Sequence, residues 1–170
     1  MASRQAEFER IAIPHSRSLL RVARRLALDP ATAEDLVQQT YLLAWKNFHQ
    51  FRAGTNVRAW LFRILFNEFY ALGRKTQSTP VMIPLGARAE LRTAPSAVEA
   101  AEISEALGEL AVEHRTVLLL GVVEGFTCQE MSEILSVPIG TVMSRLSRAR
   151  EAMRVRLSVG AAKLSEKGAS

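Results

Sequence analysis

Apolar residues in this 170-residue chain return at intervals of three and four, and nowhere do they alternate as a half-buried strand requires. That periodicity confines the chain to helices. Nine glycines and six prolines leave few breaks, so their positions show where one helix gives way to the next. A first run from about Phe8 to Leu28 carries Leu19, Leu20, Val22, Ala23 and Leu26 and is bent or divided at Pro14. Asp29-Pro30 joins a carboxylate able to cap free amides to a proline at the first helical position, which predicts a second helix to about Phe48. FRAGTN at 51–56 reads as a loop, and Asn56 or Thr55 can cap a third helix reaching roughly Arg74.

Pro80, Pro84, Gly86 and Pro95 rule out a long helix over 75–96. The reading is therefore all-α: two small helical domains joined by a flexible linker. The expected divisions are 1–75, a linker at 76–96, a second domain at 97–158, and a flexible tail at 159–170 that is polar enough to fray. Four helices are expected in the second domain, at about Ala97–Leu110, Glu113–Glu124, Cys128–Leu135 and Val142–Leu157. Gly125 suits a helix-terminating position, and Thr127 with Glu130 makes a T-x-x-E capping box.

Composition narrows the class of partner. A formal charge of +5 and a sequence pI near 10.0 favour a polyanion, although charge by itself does not separate nucleic acid from an acidic protein or a membrane surface. The single cysteine, Cys128, excludes an intrachain disulfide framework, and His15, His49 and His114 are scattered without further cysteine ligands, so neither a metal nor a cofactor is expected. MASRQAEFER lacks the apolar core of a signal sequence, and no run approaches the roughly 20 apolar residues that span a bilayer. The expectation is a cytoplasmic protein without membrane insertion.

Within TCQEMSEILSVPIGTVMSRLSRAR, at 127–150, Met131, Ile134 and Leu135 give a short helix an apolar face, and Pro138 forbids its simple continuation. Thr141 can cap a new helix on which Val142, Leu146, Ala149 and Met153 face a core, leaving Met143, Ser144, Arg145, Ser147 and Arg148 opposite. This is the pattern of a helix-turn-helix, whose second helix enters the major groove. Arg145 and Arg148 lie one turn apart and can reach the same groove or its flanking phosphates. Arg150, Arg154 and Arg156 extend the charge down the helix. A solvated arginine-rich helix is the plainer alternative, but it leaves turn, caps and apolar face as coincidences.

Of 7 Phe, 2 Trp and 2 Tyr, nine lie between residues 41 and 70. Most belong in a core, and a minority can stack on unpaired bases. On the third helix Asn56, Arg63, Asn67, Tyr70 and Arg74 form one polar stripe, with Arg52, Arg58 and Lys75 around it. Beside a glycine-containing loop this suits a nucleic-acid backbone with an exposed base, with a merely solvated face as the other reading. On the second helix, Asp35, Gln38, Gln39, Leu42 and Lys46 mix charge, amide and an apolar residue. Such a surface fits a protein better than DNA, because Asp35 repels phosphate, although taken alone it reads equally as an ordinary solvated face.

Together AEDLVQQTYLLAW at 33–45, VRAWLFRILFNEFYALGRK at 57–75 and VPIGTVMSRLSRARE at 137–151 resemble an extracytoplasmic-function sigma factor of the sigma-70 family, from about Phe8 to Leu157. The resemblance implies binding to bacterial RNA polymerase core and direction of that core to promoter DNA. Asp35, Gln38, Gln39 and Leu42 would dock on the clamp helices of the largest subunit. Arg52, Asn56, Arg58, Arg63, Asn67, Tyr70 and Arg74 would bind the melted minus-ten element, with a non-template base captured near Asn56. Thr141, Met143, Ser144, Arg145, Ser147 and Arg148 would read the minus-thirty-five element, and the same domain is expected to contact the polymerase flap. At Met143 and Ser147 the chain lacks the longer polar or aromatic groups that some relatives carry.

An alternative reading is a helix-turn-helix regulator that binds duplex DNA without polymerase, which leaves the second helix, the aromatic block and the Asn56 stripe unexplained. No glycine loop, H-E-x-x-H or nucleophile-base pair supports an enzyme, so no catalytic residue is expected. Cys128 reads as a packing residue in preference to a redox sensor. Control by an anti-sigma factor is expected, as is a monomer when free.

Overall fold

The computed structural model describes residues 3–77 and 97–167, with side chains placed over 3–74 and 100–158. The secondary structure of the described residues is helical throughout: α1 (Arg4–Ala12), α2 (Ser16–Ala27), α3 (Pro30–Lys46), α4 (Val57–Gln77), α5 (Ala97–Gly108), α6 (Val112–Leu118), α7 (Cys128–Leu135) and α8 (Ile139–Lys167). Short 3-10 turns occupy Ile13–His15 and Phe48–Gln50, and a π turn occupies Leu119–Val123. The chain divides into two compact units, one built on α1 to α4 and the other on α5, α6 and α8.

In the first unit each boundary has a local cause. The Ser3 hydroxyl accepts from the Ala6 amide, so α1 begins four residues before the predicted Phe8. Pro14 sits in the 3-10 turn that separates α1 from α2, as its missing amide requires. Leu28 ends α2 at φ 59°, and Asp29 then caps α3 by accepting from the Thr32 amide at 2.8 Å. Leu19, Val22, Ala23 and Leu26 of α2, Leu36 and Ala44 of α3, and Leu61, Phe62, Leu65 and Phe66 of α4 form the core. Removing each large side chain from water stabilises the unit by about 1.5–3 kcal/mol. Thr40 is the polar exception in α3; its buried hydroxyl donates to the Leu36 carbonyl at 2.8 Å.

In the second unit α8 packs against α6 and α5. Arg115 is buried, and its Nη2 donates to the carbonyls of Gly108 at 3.0 Å and Leu110 at 3.1 Å, satisfying acceptors that α5 leaves open at its end. The predicted helix over Glu113–Glu124 is α-helical to Leu118 and then widens into the π turn, which buries Leu119 and Leu120 together. Gly121 lets α7 approach closely: a Cβ there would stand 3.2 Å from Met131 Cε. Gly125, at φ +72°, closes this segment as the sequence predicts, with the Phe126 amide donating to the Leu120 carbonyl at 3.0 Å.

Both ends of the last helix also differ from the sequence reading. The last helix begins at Ile139 and is not capped by Thr141; the Pro138 carbonyl accepts from the Thr141 amide at 2.9 Å and the Val142 amide at 3.1 Å. A proline at that entry forfeits no helical hydrogen bond. The helix also continues to Lys167, so the segment expected to fray at 159–170 is helical as far as that residue. GAAKLSEK contains one glycine, no proline and several strong helix formers, which sustain the propagation. Beyond Gln77, the linker expected at 76–96 lies outside the described residues.

Candidate partner and nucleic-acid interfaces

The apolar side of α3 is used by the core, which forces the remaining residues outward. Asp35, Gln38, Gln39, Leu42 and Lys46 are all exposed, opposite buried Leu36, Thr40 and Ala44. Leu42, at 54% exposure, puts an apolar side chain in the middle of a polar surface. Glu34 beside it pairs with Arg24 at 3.3 Å, and with both side chains about half exposed the pair adds little stability.

The loop after α3 is fixed at both ends. Phe51 stacks on Phe48, with centroids 6.0 Å apart, and meets Trp60 of α4 at 5.0 Å. Phe48 in turn joins Trp45 and Phe8, so aromatic rings run from α1 to the loop. Between Arg52 and Thr55 the chain turns back: the Arg52 carbonyl accepts the Thr55 amide at 3.1 Å and its hydroxyl at 2.7 Å. Gly54 takes φ +87° in this turn, a conformation that costs other residues energy. Asn56 then caps α4, its Oδ1 accepting from the Ala59 amide at 3.0 Å.

Along α4 the polar stripe is unevenly exposed. Arg63, Asn67 and Arg74 face solvent, as do Arg52 and Asn56 before the helix. Tyr70 is half-buried against Phe66 and Phe69, and Arg58 is half-buried with its guanidinium 5.8 Å from the Phe62 ring centroid. The stripe therefore has an open part and a part braced by the core. The aromatic block is chiefly structural: Phe48, Phe62 and Phe66 are buried, while Trp60, Phe69 and Tyr70 retain partial exposure.

In the second unit, Thr127 and Glu130 cap each other reciprocally. Glu130 Oε2 accepts the Thr127 amide at 2.8 Å, while Thr127 Oγ1 accepts the Glu130 amide at 3.2 Å. Ser136 ends α7 at φ 54°, and Pro138 opens α8. Val142, Leu146 and Ala149 are buried, as the spacing requires, and Met153 is half-buried. Met143, Ser144, Ser147 and Arg148 are exposed, and Thr141 and Arg145 partly so. Met143 and Ser147 also line an open groove of about 560 Å³ with Cys128 and Arg150.

The arginines of α8 separate into two groups that sequence spacing does not distinguish. Among the described residues, no carboxylate pairs with Arg145, Arg148 or Arg150. Arg154 instead bonds Glu151 at 2.7 Å, and Arg156 bonds Glu109 at 2.9 Å and turns toward the end of α5. The open charge is therefore concentrated in the first turns of α8. Signals that sequence reasoning missed include Glu109, 47 residues from its partner, and Arg115, whose buried role has no local signature.

A helix-turn-helix with its charge gathered at the reading end, together with a separate helix carrying amides and guanidinium groups behind a fixed turn, defines a DNA-binding transcription protein. Residues 13–79 match Sigma-70 region 2 and residues 100–153 match Sigma-70, region 4. The chain belongs to the sigma-70 family, in its extracytoplasmic-function group, whose members direct RNA polymerase to particular promoters. It is 34% identical over 133 residues to the ECF RNA polymerase sigma factor EcfG of Rhodopseudomonas palustris, covering 76% of this chain and 74% of that one. Identity is also 34% over 154 residues with the ECF sigma factor SigL of Mycobacterium tuberculosis, covering 84% of each. The structure resembles the sigma factor RpoE of Bartonella quintana, solved in complex with the anti-sigma factor NepR, with a TM-score of 0.81, 32% identity, and coverage of 90% of this chain and 98% of that one.

Proposed function

We propose that this alternative sigma factor divides its work among three surfaces. The outer face of α3, through Asp35, Gln38, Gln39 and Leu42, docks on polymerase core. The 52–56 turn and α4, through Arg52, Asn56, Arg58, Arg63, Asn67, Tyr70 and Arg74, hold the melted minus-ten element. The first turns of α8, through Thr141, Met143, Ser144, Arg145, Ser147 and Arg148, read the minus-thirty-five element. The observation that carries this division is the sorting of charge: unpaired arginines at the start of α8, and an acid, two amides and an exposed leucine on α3.

On α8 the guanidinium groups of Arg145 and Arg148 can donate to guanine or phosphate oxygens, and Ser144 adds a short polar contact. On α4, Asn56 has a structural task as well, because its side-chain oxygen is engaged in capping. Melting follows from binding energy that favours an unstacked base over a paired one. The chain makes and breaks no bond itself and acts in the cytoplasm, where polymerase is; among the described residues no helix is long and apolar enough to cross a membrane. An anti-sigma factor that covers these surfaces is the expected means of control, a reading supported by the NepR-bound form of the similar RpoE.

The test is transcription from a supercoiled promoter library by bacterial core polymerase, with and without this chain. Start sites that appear only on its addition and share upstream motifs support the reading. Tight binding to duplex promoter DNA without polymerase, and no new start sites, would overturn it.

A further inference from the structure

We propose that Arg154 is a positioning residue for minus-thirty-five recognition: it holds the Glu151 carboxylate in a two-point pair, and so keeps Arg148 and Arg150 open for DNA. The proposal rests on the sigma-factor reading above. Glu151 lies three residues after Arg148 and three before Arg154, so along α8 its carboxylate can reach either arginine. Arg154 has it: Nε donates to Glu151 Oε2 at 3.0 Å and Nη2 donates to Oε1 at 2.7 Å. Both carboxylate oxygens are engaged, and Arg148 stands exposed with no acid bound among the described residues. An acid that precedes its cation along a helix is also the favoured order, because it agrees with the helix dipole.

The place of this pair gives it a consequence beyond stability. The two side chains are 74% and 59% exposed, and a pair so solvated adds little to the fold. Yet Glu151 lines the same open groove as Met143, Ser147 and Arg150, so its acid stands at the edge of the surface assigned to the minus-thirty-five element. A carboxylate left single there would repel phosphate or turn back on Arg148. Bonded at both oxygens it does neither. The hydrogen bonds of Arg154 first, and its charge second, hold the Glu151 carboxyl below its ordinary range, as the paired, charged form requires. Arg154 lies about 6 Å further along the helix axis than Arg150, with its guanidinium turned to Glu151, and therefore acts on DNA through that acid.

The experiment uses holoenzyme assembled from bacterial core polymerase and the wild-type chain, Arg154→Ala, Arg154→Lys, Glu151→Gln or the Glu151→Gln/Arg154→Ala double variant. Promoter affinity is measured for each across a series of salt concentrations. Arg154→Ala should lower affinity about three- to fivefold, the scale of one exposed ion pair, and make the slope of log affinity against log salt shallower by about 0.5–1. Arg154→Lys should keep most of the affinity. In the Glu151→Gln background Arg154→Ala should change nothing, because no carboxylate remains to be held. A loss that persists in that background would give Arg154 a role of its own, on DNA or in the fold, and overturn the proposal, as would an unchanged affinity for Arg154→Ala. A wild-type holoenzyme that forms no promoter complex would overturn the sigma reading and this one with it.

Discussion

Arg145 shows what an unpaired side chain implies at the scale of one residue. It is partly exposed in the first turns of α8 and has no carboxylate to release before meeting DNA. Arg145→Ala should cost about 1–3 kcal/mol of promoter binding and relax preference at one position, read by selection from a randomised minus-thirty-five library. His15 makes a different prediction. Burial first, and the charge of Arg58 second, lower its pKa from 6.5, so the unfolded chain takes up a proton at a pH where the folded one does not. The stability that this provides is present above 6.5 and is lost as pH falls through the lower folded value. Urea melts from about pH 7.5 to 5.5 should therefore fall less steeply for His15→Gln than for wild type. The exposure of Arg145 was legible from the period of the apolar residues around it; the engagement of Arg156 with Glu109 was not, because nothing local joins residues 47 apart.

Elements announced themselves where side chains make their ends. Asp29, Asn56 and the Thr127–Glu130 box each perform the capping that their residue types imply. Where backbone does the work the signal was weaker. Pro138 starts α8 through its carbonyl, and Thr141, a good capping residue by type, lies inside the first turn. The π turn after α6 was likewise hidden, since a one-residue widening leaves the apolar spacing nearly intact. Thr127→Ala should destabilise the second unit by about 1 kcal/mol, because the Glu130 amide loses its acceptor in a helix of only eight residues. Urea unfolding followed by circular dichroism measures this, and Thr127→Ser should retain most of the stability.

For the whole molecule, binding to core and reading of DNA should be separable by mutation. Asp35→Ala on the exposed face of α3 should weaken core binding several-fold while leaving the preferred promoter unchanged, measured by titrating core and then sequencing transcript starts. Equal and sequence-blind losses from Asp35→Ala and Arg145→Ala would mean that the surfaces are wrongly divided. The all-helical character was legible from the period of the apolar residues, and the family from three motifs in order. The aromatic block was legible in part: its spacing assigned most of the nine rings to a core, but not that they join α1, α3 and α4 and hold the turn that follows α3.

That turn has a kinetic meaning. With Phe51 held between Phe48 and Trp60, and Asn56 fixed as a cap, residues 52–55 have little freedom left to lose when a ligand arrives. If this turn holds the melted strand as proposed, the strand meets a receptor already in shape, and capture should then be governed by how often the duplex opens and not by how long the protein takes to rearrange.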